Sequence, residues 1–235
     1  MIYTFNEETI SFDIKYKKRK TISISINPYG KIELEVPRET TQEVIDKAVE
    51  QKWDWIIKRT KEMKERLAGP QTKAYDMGEV FLYLGKSYPI LIFEDSEIGK
   101  DYVELTEDQL HIYVKVQEEE RIKQALKRFY YQKCKTLVQQ CIKLHQSKFK
   151  TKPRSISISD SQSTWGTCDS KYQMTFNWKL AMAPLEVIDY VVIHEMCHMV
   201  HLNHDRSFWR LVGSFLPDYE YKQNWLAQSS WKMVV

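Results

Sequence analysis

The residues best suited to chemistry are histidines near the C-terminal end of the chain. Four of the six histidines fall within eleven residues, and they are His194, His198, His201 and His204. His194 begins an H-E-x-x-H pattern, in which residues four apart lie one turn apart on one helix face, so both imidazoles can reach one metal ion. A helical step of about 100° turns Glu195 aside from the ligands, where it can accept a proton from a metal-activated water. The spacing therefore predicts a zinc hydrolase with Glu195 as its general base.

A catalytic zinc ion takes a third protein ligand and leaves its fourth position to water. His204 lies ten residues after His194, which is the offset in the longer pattern H-E-x-x-H-x-x-G-x-x-H. His201 stands at the glycine position of that pattern, so we expect the helix to turn at residues 202–203, with the asparagine in the left-handed conformation. The alternative third ligand is His201, although on a straight helix its ring would lie about 10 Å along the axis from that of His194. Cys168 is a further alternative, which three histidines make unnecessary.

The patterning around these histidines predicts the elements that must position them. Pro184 is well placed to begin a helix, which we expect to reach about Leu202. Apolar residues just before His194 would anchor this helix in a core. The other elements predicted for this half of the chain are helices over 118–149, 206–215 and 219–231 and strands over 155–159 and 174–178.

The N-terminal part of the chain has the alternation of β-strands. Two alternating runs, 21–26 and 32–36, predict a hairpin across a turn at 28–30, and a helix is expected over 42–68, ended by Gly69-Pro70. Four short strands are predicted after this helix, over 80–84, 88–93, 102–105 and 110–114. The elements together predict an α+β protein, with a β-rich N-terminal region containing one helix over residues 1–115 and a mostly helical part over residues 116–235.

Composition and charge exclude several functional classes. Glycine is scarce, at 7 of 235 residues, and the chain has neither a G-x-G-x-x-G pattern nor a P-loop, which argues against a P-loop nucleotidase or a Rossmann dehydrogenase. The net charge of +3 does not by itself indicate a nucleic-acid partner. The first residues lack the apolar core of a signal peptide, and no run of about 18 apolar residues is present that could span a membrane. The four cysteines form no C-x-x-C pair, so we expect free thiols in a reducing cytoplasm.

The motifs around the histidines resemble the YgjP-like metallopeptidase family, whose members are related to the SprT-type zincins. The resemblance is densest from about Asp160 to Leu226, and its main pieces are Trp165-Gly166-Thr167-Cys168, Asn177-Trp178-Lys179-Leu180, the H-E-x-x-H pattern, Asn203-His204, Phe208-Trp209 and Pro217-Asp218-Tyr219. It implies a zincin-like catalytic domain over 116–235, with His194, His198 and His204 as zinc ligands and Glu195 as the base. The sequence departs from the family at Thr164 and Thr167, where the family usually has arginine and serine.

Several side chains near the histidines have more than one interpretation. Trp165-Gly166-Thr167 could bind substrate, because zincins tend to lay a peptide along an edge strand, or could form a tight loop plugged by the tryptophan. Asp205 is expected to cap the helix that follows it, and Asp189 to steady a ligand imidazole or to be solvated. Phe208 and Trp209 would fix the turn that carries the third ligand. The candidates for stabilising an oxyanion are Tyr190, Tyr219, Tyr221 and His201.

The sequence thus predicts a cytoplasmic, zinc-dependent metallopeptidase that acts on a peptide or protein substrate and has no membrane partner. Two alternatives stay open. In the first, the basic run Lys15–Lys20 recruits DNA to an SprT-like protease, although we favour the simpler explanation that this run protects an edge strand from aggregation. The second alternative is a non-catalytic metal-binding interaction module, against which the intact Glu195 argues.

Overall fold

The computed structural model describes residues 2–5, 8–26, 32–67, 73–161 and 163–235. The chain divides into two compact units, Met1–Gln71 and Thr72–Val235. The sequence analysis places its boundary at 115/116, whereas in the structure the strands between residues 80 and 114 share a hydrophobic core with the helices that follow them. Sheets and helices occur in both units, which confirms the α+β class.

The first unit contains a four-stranded mixed sheet. Its strands β1 (Ile2–Phe5), β2 (Glu8–Lys17), β3 (Ser23–Ile26) and β4 (Ile32–Pro37) lie in the order β1-β2-β4-β3. β2 and β4 run parallel, while β3 pairs antiparallel with β4. The antiparallel pairing confirms the predicted hairpin, whose turn at 28–30 lies outside the described residues. The patterning did not predict β1 and β2.

Two helices complete the first unit where a single helix over 42–68 was predicted. They are α1 (Gln42–Glu50) and α2 (Trp53–Leu67), and the predicted stop at 68–70 lies outside the described residues. Between them the amide of Lys52 donates to the carbonyl of Val49, three residues back, at 3.1 Å. This tighter turn interrupts the α-helical hydrogen bonding. The fully buried core of the unit includes Leu34, Val36, Ile45, Val49 and Ile56.

The second unit begins with a four-stranded sheet that packs on a long helix. Strands β5 (Val80–Tyr83), β6 (Lys86–Glu94), β7 (Tyr102–Leu105) and β8 (Leu110–Val114) lie in the order β5-β6-β8-β7. Helix α3 (Glu119–His145) contacts β7 and β8 and continues the same core. This packing explains why the compact unit starts before these strands and not after them.

A smaller sheet and three helices follow α3. Strands β9 (Ser155–Ser159), β10 (Gly166–Cys168) and β11 (Gln173–Asn177) lie in the order β10-β11-β9, so the unpredicted β10 is an edge strand. With three residues, one of them glycine, β10 is too short for alternation to reveal it. The remaining helices are α4 (Leu185–His198), α5 (Arg206–Phe215) and α6 (Tyr219–Ser229). None of the helices in the described ranges has the length and apolar character needed to cross a membrane.

The β5–β6 hairpin fixes the start of α4. Leu84 and Gly85 both have positive φ, 48° and 76°, as a tight two-residue hairpin turn requires. Their amides donate to the carbonyls of Ala181 at 2.9 Å and Met182 at 3.0 Å. A Cβ on Gly85 would lie 2.8 Å from Cγ of Pro184, the residue that precedes α4. The turn therefore packs directly against the point where the H-E-x-x-H helix begins.

Candidate metal centre

Three imidazoles converge at the C-terminal end of α4. Nε2 of His204 lies 2.9 Å from Nε2 of His194 and 3.2 Å from Nε2 of His198. A tetrahedral zinc ion with bonds of about 2.0–2.1 Å holds its ligand nitrogens about 3.3 Å apart. Within the described part of the chain, these three residues form the one group of three or more His, Cys, Asp or Glu side chains arranged for a single ion.

The turn after α4 brings His204 back to the helix. α4 ends at His198, four residues before the predicted end, because the amides of Met199 and Val200 donate to carbonyls three residues back. No residue from 199 to 205 has a positive φ, so the expected left-handed asparagine is wrong. A tight right-handed turn reverses the chain instead, and it needs neither glycine nor left-handed asparagine.

The rival ligand His201 contributes through its backbone and not through its ring. Nδ1 of His198 donates to the carbonyl of His201 at 3.0 Å. Because Nδ1 holds the proton, the neutral ring of His198 presents the lone pair of Nε2 to the cluster. The early end of α4 thus orients one of the predicted ligands.

The carboxylates of Asp205 and Asp189 make different contacts. Asp205 accepts hydrogen bonds from the amides of Ser207 at 2.8 Å and Phe208 at 2.9 Å, which is the expected helix cap directly after His204. Asp189 does not steady a ligand imidazole, because it pairs with Nε2 of His145 at 2.8 Å. Nδ1 of His194 is buried and has no hydrogen-bond partner among the described residues.

Two aromatic side chains pack against the three imidazoles. Phe208 is fully buried, and its ring centroid lies 4.5–4.9 Å from the rings of His194, His198 and His204. Trp209 stacks on His204 at 5.7 Å. The packing predicted for both aromatic residues is present, and it restricts the imidazoles to the convergent arrangement.

Burial keeps two of these imidazoles neutral. Burial, aided by the neighbouring His198 and His204, lowers the pKa of His194 to about 3. Burial also lowers the pKa of His198. Metal ligation needs neutral imidazole, so the residues present fit a divalent metal ion.

Glu195 lies beside the imidazoles under the edge strand. Its carboxyl is buried, and burial raises its pKa to about 8. A Cβ on Gly166 would lie 2.7 Å from both Cγ and Oε1 of Glu195. Strand β10 therefore passes so close over Glu195 that any residue larger than glycine here would displace the Glu195 side chain.

The register of β10 shows which backbone groups reach the open edge of the sheet. The amide of Asn177 donates to the carbonyl of Trp165, and the amide of Asp169 donates to that of Gln173. Hydrogen-bonded pairs alternate along antiparallel strands, so residues 165, 167 and 169 bond to β11. The amides and carbonyls of Gly166 and Cys168 consequently point away from β11, toward the open edge of the sheet.

The chain matches a known protein family over most of its length. The family model described as YgjP-like, metallopeptidase domain, matches residues 20–229. The chain belongs to the YgjP-like metallopeptidase family. Comparisons with curated proteins and with solved structures give no match. Membership supports a metal-dependent hydrolase, in agreement with the resemblance seen in the sequence.

In this YgjP-like metallopeptidase a cavity of about 360 Å³ opens beside His194 and Glu195. Of the three residues predicted to bind substrate, Trp165 and Gly166 line the cavity. Thr167 does not, because its exposed side chain lies on the opposite face of β10 from Gly166. The lining residues that sequence reasoning missed are Val191, Gln223, Leu226 and Ala227.

The structure separates the tyrosines proposed to stabilise an oxyanion. Tyr190 lines the cavity, and burial together with the nearby Glu195 raises its pKa to about 12. Tyr219 stacks on Trp209 at 5.2 Å, and Tyr221 is 63% exposed. Among these tyrosines Tyr190 is the one whose side chain borders the candidate site.

The basic run of the YgjP-like chain lies on and just after β2. β1 pairs with residues 8–11 of β2 and β4 pairs with residues 12–17, so at Lys15 and Lys17 the strand is paired with β4 alone. That this run protects an edge strand stays a prediction. Lys15 pairs with Glu33 at 2.6 Å, and both Lys17 and Arg19 pair with Glu35. Acidic residues of β4 thus compensate three of these cations.

Proposed function

We propose that this metallopeptidase hydrolyses peptide bonds, with zinc held by His194, His198 and His204 and with Glu195 as the general base. The observation that supports this proposal is the convergence of three imidazoles, two of them kept neutral by burial, next to a buried carboxyl group. Zinc, when bound, would polarise the scissile carbonyl and acidify the attacking water. Glu195 would accept the proton of that water and deliver it to the leaving amine.

The edge strand supports a substrate in extended conformation. Gly166 and Cys168 direct their free backbone groups to the open edge, so an extended peptide could add there as a further strand. Trp165 and Gly166 border the cavity. Thr167 would hold the strand in place through its backbone and would make no side-chain contact with the substrate. We also retain the cytoplasmic location, which the four free cysteines support.

Metal content tests the ligand set. We expect about one zinc per wild-type chain, and loss of most of it in His204→Ala, because two histidines hold zinc far more weakly than three. His201→Ala is the matched control, since its ring lies outside the cluster, and it should keep the metal. Mass spectrometry of purified proteins gives the answer, and full occupancy in His204→Ala would show that the third ligand is another residue.

Glu195→Gln then tests the role of the base. The variant should keep its zinc and lose about 10²-fold or more of peptidase activity, in the range typical of a positioned general base. Unchanged activity in Glu195→Gln would rule out Glu195 as the base. Zinc binding without cleavage of any peptide by the wild type would favour the interaction module.

A further inference from the structure

The cavity beside Glu195 has walls from three separate elements. α4 contributes Tyr190 and Val191, α6 contributes Leu226 and Ala227, and the segment before β10 contributes Trp165. Val191 and Leu226 are buried, which gives the cavity an apolar floor. A volume of about 360 Å³ is near the lower limit for small-molecule sites and suits one large side chain.

The charges around the cavity limit what can enter it. Its lining contains no lysine or arginine, and its one carboxylate is that of Glu195. An acidic side chain would enter without a cationic partner, which is unfavourable because a buried charge needs one. The neutral polar groups of Thr164 and Gln223 also border the cavity and can contact peptide backbone.

A peptide bound along the edge strand β10 would direct side chains toward the cavity. A peptide added to β10 alternates its side chains between the two faces of the sheet. One of these faces is the face on which Gly166 meets Glu195 of α4. Every second side chain of the peptide therefore points toward α4, where the cavity adjoins the candidate metal ligands.

We propose that this cavity is a specificity pocket for a large apolar side chain, such as Leu, Met or Phe, on a substrate residue that flanks the cleaved bond. The proposal rests on the proposed peptidase function, because it assigns the cavity to the same substrate.

A peptide series with one varied residue next to the cleaved bond tests the pocket. Peptides with Leu, Met or Phe should have kcat/KM values at least about tenfold above those with Ala, Asp or Lys, since even one methylene in an apolar pocket changes this ratio by about tenfold or more. A preference for Lys would show that Glu195 recruits a cation, and equal rates would show that the cavity is not used. Either result would overturn the proposal.

Two variants of α6 test whether the preference for large apolar side chains arises in the cavity. Ala227 is exposed at the cavity on α6, so Ala227→Leu narrows the pocket without disturbing the core. This variant should lose about tenfold in kcat/KM for Phe and little for Ala. Asn224→Leu adds the same side chain to an exposed position of α6 outside the lining and should leave the ranking unchanged. The same ranking in Ala227→Leu as in wild type would overturn the proposal.

Binding measurements separate this proposal from the peptidase function. Calorimetric titration of the same peptides into Glu195→Gln should give the same order of affinities, and the order should weaken when Ala227→Leu is added. If the affinities follow this order but wild type cleaves none of the peptides, the peptidase function is overturned and the cavity is supported as a pocket for apolar side chains. Cleavage by wild type with no order in rates or affinities would overturn the pocket and support the peptidase function.

Discussion

At the scale of single residues, the candidate site depends on side chains brought together from distant parts of the chain. The positions of His194, His198 and His204 follow from their spacing, because four residues on a helix and a short return fix where the imidazoles lie. The closeness of Gly166 to Glu195 does not follow from any local pattern, since 29 residues separate them in the sequence. The same holds for Ala227, which reaches the cavity through the packing of α6 on α4.

Gly166→Ala should uncouple catalysis from metal binding. The added methyl would overlap Cγ and Oε1 of Glu195 and displace the carboxylate from its place beside the imidazoles. We expect peptidase activity to fall about 10²-fold or more, the contribution typical of a general base, while zinc content stays the same. Steady-state kinetics together with metal analysis measure both. Gly99→Ala is the control, because a Cβ there meets nothing within 4 Å; equal activity of the two variants would contradict this role for Gly166.

At the scale of elements, periodicity located the longer helices and most strands but not their ends. Apolar spacing predicted α3, while its last predicted residues form a 3-10 turn over Gln146–Lys148. α4 ends where the amides of Met199 and Val200 donate to carbonyls three residues back, and the turn that follows brings the carbonyl of His201 to His198. The interruption at Lys52 likewise leaves the apolar spacing unchanged, so no sequence pattern could reveal it.

Alanine substitutions at two glycines measure how much the contact between the β5–β6 turn and the start of α4 contributes to stability. Gly78 and Gly85 have similar positive φ, 82° and 76°, but a Cβ on Gly78 meets nothing within 4 Å. Each alanine substitution carries the left-handed penalty of about 1 kcal/mol. Gly85→Ala should destabilise the protein by about 1–3 kcal/mol more than Gly78→Ala, because it also crowds Pro184. Urea unfolding compares the two variants, and equal losses would mean that the turn does not support α4.

At the scale of the whole molecule, the division after Gln71 assigns the sheet β5–β8 to the same unit as the site. The sequence analysis grouped these strands with the N-terminal sheet because both are β-rich. The residues that pack against these strands, including Leu126 and Tyr130 of α3, come later in the chain. Composition does not reveal which sheet a helix packs against. An ion pair between this sheet and α3 adds a pH dependence to the stability of the unit.

Asp101 should stabilise the second unit at neutral pH and not in acid. Burial raises the pKa of this carboxyl, but hydrogen bonds from Arg121 at 2.8 Å and the Lys115 amide at 2.9 Å and the charges of Arg121 and Arg128 lower it more. A folded pKa below the unfolded value of about 3.9 means that the stabilisation is complete above that pH and is lost as pH falls through the folded pKa.

Asp101→Asn should therefore cost about 1 kcal/mol at pH 7, a modest value because solvent near Arg121 screens the pair. The difference from wild type should begin to shrink as the pH falls below about 4, where Asp101 of the unfolded chain becomes protonated, and should vanish as the pH falls through the lower pKa of the folded state. Denaturant unfolding across this range measures it, with the exposed Asp108→Asn as control. A cost that stays constant with pH would assign the effect to shape and not to charge.

The helix that carries the first two histidines is held at both ends by contacts that involve no metal. Pro184 at its start lies against the Gly85 turn, and His198 at its end is bonded to the carbonyl of His201. We therefore expect the three imidazoles to converge in the metal-free protein, unlike the ligands of a zinc finger, whose metal drives folding. If the site binds a metal ion, none of the binding free energy is needed for folding, and we expect a chelator to remove the ion from a chain that stays folded and can take up metal again.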